Sequence, residues 1–207
     1  MEDIISRRIN HNKTRDSDGD PTIKRTPQTL IYKLAQAISF EFRVIIQKAA
    51  VTQEEGENVV VAALQRIKND KVFGSKDLTD EKAFAIATHY EVLRKSADDM
   101  LYIDHDIVAD YLAAPILAQN WQDLGTQFNA IIGQDVWIFA AKHIAENQTN
   151  QFLKHVSIQN ILLASRCAVA IGENSYPIVE AQLFKNSASD SYLTATTALT
   201  GMAVLKS

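Results

Sequence analysis

The sixteen residues from Val156 to Ile171, VSIQNILLASRCAVAI, carry apolar side chains on nearly every side. A helix apolar around most of its circumference is stable only where other elements, or lipid, cover it. At about 1.5 Å per residue the run makes a helix about 24 Å long. That is short for a bilayer, and Gln159, Asn160 and Arg166 interrupt it. The pattern therefore predicts a buried helix near 157–171, opened by Ser157 as N-cap and closed by Gly172 in a left-handed turn. Gln159, Arg166 and Glu173 fall seven apart on one polar stripe. On the plainer reading the stripe faces water and Arg166 lays its stem over apolar neighbours. On the sharper reading Arg166 is buried or interfacial and grips a carboxylate or a phosphate.

A helix covered in this way needs partners, and the rest of the chain has the composition to supply them. Apolar residues make up 46% of the 207, while the 7 glycines and 4 prolines are too few for the many tight turns of a sandwich or barrel. The expected fold class is all-α, with about seven to nine helices in a single domain over 27–207, a length that suits one domain. An extended polar arm, 1–26, precedes it. The arm lacks helical periodicity and mixes bases, acids and small polar residues. Its DSDGD run departs from a calcium loop, because Arg25 stands where the bidentate Glu belongs.

Helical spacing then recurs along the chain. Thr26-Pro27 opens a helix, with a capping hydroxyl and a proline in the first turn, that carries Leu30, Leu34, Ile38, Phe42 and Ile45. Thr52 and Glu55 form a capping box for a second, to about Asn69. Thr79 caps a third, expected from Asp80 to about Leu101 on the spacing of Phe84, Ala87, Tyr90, Leu93, Ala97 and Met100. A fourth runs from about Asp104 to Ala113, with a break or a kink at Pro115, and is followed by helical stretches over 116–132 and 134–146. The segment 178–184, IVEAQLF, suits either a short helix or a strand. Asp190 to Leu205 reads as a small-residue helix with Tyr192, Ala195, Leu199 and Met202 in line, fit for tight packing or a self-association surface.

The net charge of −4 is unevenly spread. Residues 1–76 carry 13 Lys/Arg and 10 Asp/Glu; residues 77–146 carry four bases against 12 acids; residues 147–207 are nearly neutral. A basic front and an acidic middle can attract copies of one chain to each other. The single cysteine, Cys167, excludes an internal disulfide and lies in the central run, as a small core residue does. The first 25 residues are polar and no transmembrane run follows, so a cytoplasmic protein, or one within an assembled particle, is expected.

Two groups of residues could carry chemistry. The bases Arg7, Arg8, Arg15, Lys24, Arg25 and Arg43, with Arg166, could meet phosphates. The acidic cluster Asp98, Asp99, Asp104, His105, Asp106 and Asp110 could bind a divalent ion. A plainer assignment makes it a helix start, with Asp104 as cap and Asp106 favoured by the helix dipole. The dipeptide His105-Asp106 resembles the paired ligands of HD-domain phosphohydrolases, all-helical metal enzymes. The resemblance implies an upstream His, for which His89 stands nearest, and a downstream Asp, either Asp123 or Asp135. No G-x-S-x-G elbow, G-x-G-x-x-G turn or P-loop is present.

These features point first to a non-enzymatic structural or assembly subunit, coat- or nucleocapsid-like, that forms homo-oligomers and touches nucleic acid through its basic front. A metal-dependent enzyme built on the cluster over 98–110 is the second expectation, and a helical regulatory module that binds another protein the third. No cofactor or membrane contact is expected, and the sequence identifies no small-molecule substrate.

Overall fold

A computed structural model describes residues 7, 23, 26–69, 78–124, 128 and 134–207. The expected arm lies almost wholly outside these. Nine α-helices are present among the described residues, with one small sheet, so the fold is all-helical in class. Packing divides the chain into two compact units, Met1–Ala113 and Ala114–Ser207.

In the first unit, α1 (Gln28–Phe40) buries Ile31, Leu34 and Ile38 along one face. Its N-cap is Pro27, with no side-chain cap, so the Thr26 hydroxyl does not play the capping part expected of it. The helix widens into a π turn, Glu41–Ile45. The capping box before α2 (Gln53–Asn69) forms as the sequence predicts. Glu55 N–H donates to Thr52 Oγ1 at 3.2 Å and Thr52 N–H to Glu55 Oε2 at 3.0 Å. Lys48 and then Thr52 hold the Glu55 carboxyl below its usual pKa. Thr79 likewise caps α3 (Asp80–His89), accepting from Lys82 N–H at 3.3 Å.

The third helix stops twelve residues before its expected end near Leu101. Glu91 takes φ 54°, Glu91 N–H donates to Thr88 O at 3.1 Å, and Val92 N–H donates to Ala87 O at 2.8 Å. This is a Schellman closure with glutamate in the place glycine usually takes. The chain beyond it is extended. Strands β1 (Ala50–Val51), β2 (Arg94–Lys95) and β3 (Leu101–Tyr102) form an antiparallel sheet in the order β1-β3-β2, pairing Val51 and Lys95 with Leu101. Leu93 is buried, as expected, but in a bend before β2, and Leu101 is buried in β3, whereas Ala97 of the expected face is exposed.

Helix α4 (Asp106–Leu124) begins in this unit. It runs through Pro115, where a break or a kink was expected, and departs from helical geometry at Asn120 instead (φ −118°, ψ 15°). Asn120 Nδ2 donates to Ile116 O at 2.8 Å and so occupies a carbonyl at the kink.

The second unit contains α5 (Gln134–Ala141), α6 (Glu146–Gln159), α7 (Ile161–Ile171), α8 (Tyr176–Ser187) and α9 (Tyr192–Lys206). The ambiguous 178–184 segment is thus helical. The central apolar run is two helices rather than one. Asn160 (φ −149°, ψ 90°) ends α6 and caps α7, its Oδ1 accepting from Leu163 N–H at 3.0 Å. Ser157, expected as the cap, lies inside α6 and donates to Leu153 O at 2.6 Å. Gly172 ends α7 with φ +127°, a value an L side chain rarely adopts. α7 packs against α5, α6, α8 and α9 of its own unit, and Leu163, Ala164, Ser165, Cys167 and Ala168 are buried. Trp121, Phe128, Trp137 and Phe152 interlock nearby, with ring centroids from 4.3 to 6.5 Å apart, as core residues rather than open stacking surfaces.

No helix among the described residues is long and apolar enough to cross a membrane.

Candidate functional site

Between Lys33 and Lys48 the chain carries just two charges, Glu41 and Arg43, set in an apolar stretch. Both are buried in the π turn. Arg43 reaches α4: its Nε donates to Asp110 Oδ1 at 2.6 Å, its Nη2 to Asp110 Oδ2 at 3.3 Å and its Nη1 to Asp106 Oδ1 at 3.1 Å. Glu41 accepts from Arg66 of α2 at 2.6 and 3.1 Å, and the Arg66 guanidinium lies 4.4 Å from the Phe40 ring centroid. Opposite charges in an apolar helical run were the sequence signal for this network. Their partners lie 25 and 67 residues away and could not be named from local spacing.

The acidic cluster is divided among separate cations. Asp110 and Asp106 hold Arg43; Asp104 pairs with Arg94 Nη1 at 2.9 Å; Asp99, at φ 59°, pairs with Lys95 at 3.1 Å; Asp98 is exposed. His105 is exposed at φ 65°, with Nε2 3.6 Å from Asp104 Oδ2. Helix α4 starts two residues after Asp104, so Asp104 is not its cap. Among the described residues no three His, Cys, Asp or Glu side chains stand close enough to hold a metal ion together. Of the residues implied by the HD-domain resemblance, His89 sets its ring edge-on to Tyr90, Asp123 is exposed, and Asp135 pairs with Arg166 at 2.9 Å.

The candidate phosphate contacts also separate. Arg7 is exposed, and Arg8, Arg15, Lys24 and Arg25 lie outside the described residues. Arg43 is removed from that set, since it is buried and bonded to two carboxylates. Arg166 is on the surface, as the plainer reading has it, and the group it meets is the Asp135 carboxylate.

Open grooves among the described residues include two. One, about 590 Å³, runs beside the small sheet and is lined by Phe84, Arg94 and Tyr102 among others; the second, about 700 Å³, lies at the Gly172 turn beside Glu146 and Glu173. Neither is reached by Cys167, which is buried, with its thiol pushed well above the ordinary pKa by desolvation.

A surface feature lies on α9. Tyr192 and Leu199, read in line as fit for tight packing or a self-association surface, point outward with Leu193, whereas Ala198, Gly201 and Leu205 face inward. Phe184 of α8 and Ile158 of α6 are exposed as well. No protein-family model, curated protein or solved structure matches this chain.

Proposed function

We propose that this chain is a non-enzymatic structural subunit that self-associates, in the manner of a coat or nucleocapsid protein. One observation carries the reading. Helix α9 buries a small-residue face and leaves Tyr192 85%, Leu193 76% and Leu199 58% exposed. Tyr192 and Leu199, seven residues apart, share one exposed helix face, with Leu193 about 100° round from Tyr192, and exposed apolar side chains that group mark interaction surfaces more often than isolated ones do. The divided charge of the chain is a second support, since a basic front and an acidic middle favour contacts between copies.

Light scattering on a size-exclusion column over a range of protein concentrations tests this. The expected mass exceeds the 23.1 kDa of one chain, rises with concentration and survives high salt, because burial of apolar surface is little screened. A single-chain mass at every concentration and salt would overturn the proposal.

The basic front adds a second element to it. Arg7, Arg8, Arg15, Lys24 and Arg25 would contact phosphates, and binding of a fluorescent oligonucleotide would then weaken steeply with salt. Binding that does not respond to salt, or none at low salt, removes that element without touching self-association.

A further inference from the structure

We infer that the outward face of α9 is the contact between copies, and that its occupant is the same helix of a second copy, running antiparallel about a two-fold axis. This rests on the self-association proposed above and names the surface that performs it.

The exposed residues of α9 include Tyr192, Thr196, Leu199 and Ala203, at intervals of four, three and four. That is the spacing of a coiled-coil seam. The seam is more apolar than its letters suggest. Thr196 donates its hydroxyl to Tyr192 O, and Thr200 beside it donates to Thr196 O at 3.0 Å. With those hydroxyls satisfied inside the helix, the threonines can present methyl groups to a neighbour.

Charge and volume both select a second copy and its direction. An antiparallel pair centred between Thr197 and Ala198 sets Tyr192 opposite Ala203 of the other copy, and Leu199 opposite its Thr196. Each large side chain then meets a small one, which keeps the two helix axes evenly spaced. The one charge on α9 is Lys206, in its last turn, and Asp190 lies exposed just before its first. The same register brings Lys206 level with the segment holding Asp190 of the other copy, at both ends of the pair. A parallel pair would instead put lysine beside lysine and stack Tyr192 on Tyr192. Antiparallel helices also align their dipoles favourably.

The test uses the whole chain. Leu199→Glu, at an exposed position, is expected to weaken self-association at least tenfold with the circular dichroism spectrum unchanged, while Ile107→Glu, at an exposed position in the first unit, leaves it as it was. Leu199→Gln is the second variant should the glutamate disturb the helix. Tyr192→Cys and Ala203→Cys proteins are then mixed and oxidised. The antiparallel seam gives a mixed disulfide dimer and little of either self-dimer, since equivalent residues would stand about 16 Å apart along the axis. Self-dimers in excess overturn the antiparallel arrangement. Unchanged association in both Leu199 variants overturns the seam and leaves self-association standing. A wild-type chain that never exceeds one copy overturns both.

Discussion

Arg43 and Asp110, 67 residues apart, meet inside the first unit through two hydrogen bonds, at 2.6 and 3.3 Å. The pair ties the π turn after α1 to the start of α4. Both side chains are almost wholly buried, 8% and 5% exposed. Removing one partner takes from the other buried charge a counter-ion held by two hydrogen bonds. Arg43→Met alone, or Asp110→Leu alone, is expected to cost about 3–5 kcal/mol of folding free energy. The double variant should recover most of it, since an apolar pair of similar volume needs no desolvation. Guanidinium unfolding curves of the three variants decide this, and two single losses that simply add would refute the coupling.

Asn160 both interrupts the central run and restarts it. Its Oδ1 accepts from Leu163 N–H at 3.0 Å and its Nδ2 donates to Phe128 O at 3.4 Å. Asn160→Ala should lower stability by about 1–2 kcal/mol, and Asn160→Ser, which can still cap, by less. Equal losses in the two, read from urea midpoints, would mean the cap is not what matters.

Gly201 sits where α9 meets α7 and α8. A Cβ there would come within 2.7 Å of Leu183 Cδ2 and 2.8 Å of Ser165 Oγ. Alanine gains about 1 kcal/mol of helix propensity over glycine, and a methyl forced into a packed core costs about 1–3. Both neighbours are buried, so the clash should win, and Gly201→Ala is expected to destabilise by about 1 kcal/mol. A raised melting temperature would show that Leu183 moves aside freely.

Cys167 should be unreactive towards a thiol reagent in the native protein and react at once in denaturant, because it is buried and kept neutral by desolvation. Its pKa is raised on folding, so the stability it contributes is fully present below the unfolded thiol value of about 8.5. Above that the unfolded chain loses the proton first, and stability falls as pH rises toward the folded value. Tyr90, also raised by burial, acts in the same direction from about pH 10 upward. Guanidinium midpoints at about pH 7.5 and 9.5 should therefore fall in wild type by up to about 1.4 kcal/mol equivalent, and less in Cys167→Ala.

Much of the helical architecture was legible in the order of residues, because local physics decides it. The Thr52–Glu55 box and the Thr79 cap join groups three residues apart, and both form as read. The burial of most of the central run, Ile158 and Val169 excepted, follows from the transfer free energy of its side chains, whatever covers them. Where reading failed, a long-range contact or an unusual residue outweighed the local signal. The α3 stop has glutamate at a left-handed position, so no glycine announced it, and the apolar spacing continued into a sheet whose strands begin at Ala50 and Arg94. The acidic residues over 98–110 looked like one cluster, but basic residues as distant as Arg43 divide them. On α9 the line Tyr192–Leu199 and the line Ala198–Leu205 are both apolar. Periodicity alone cannot rank them. The choice belonged to Leu183 and Ser165, whose side chains leave room for Gly201 and for nothing larger, and so turn the bulky residues outward.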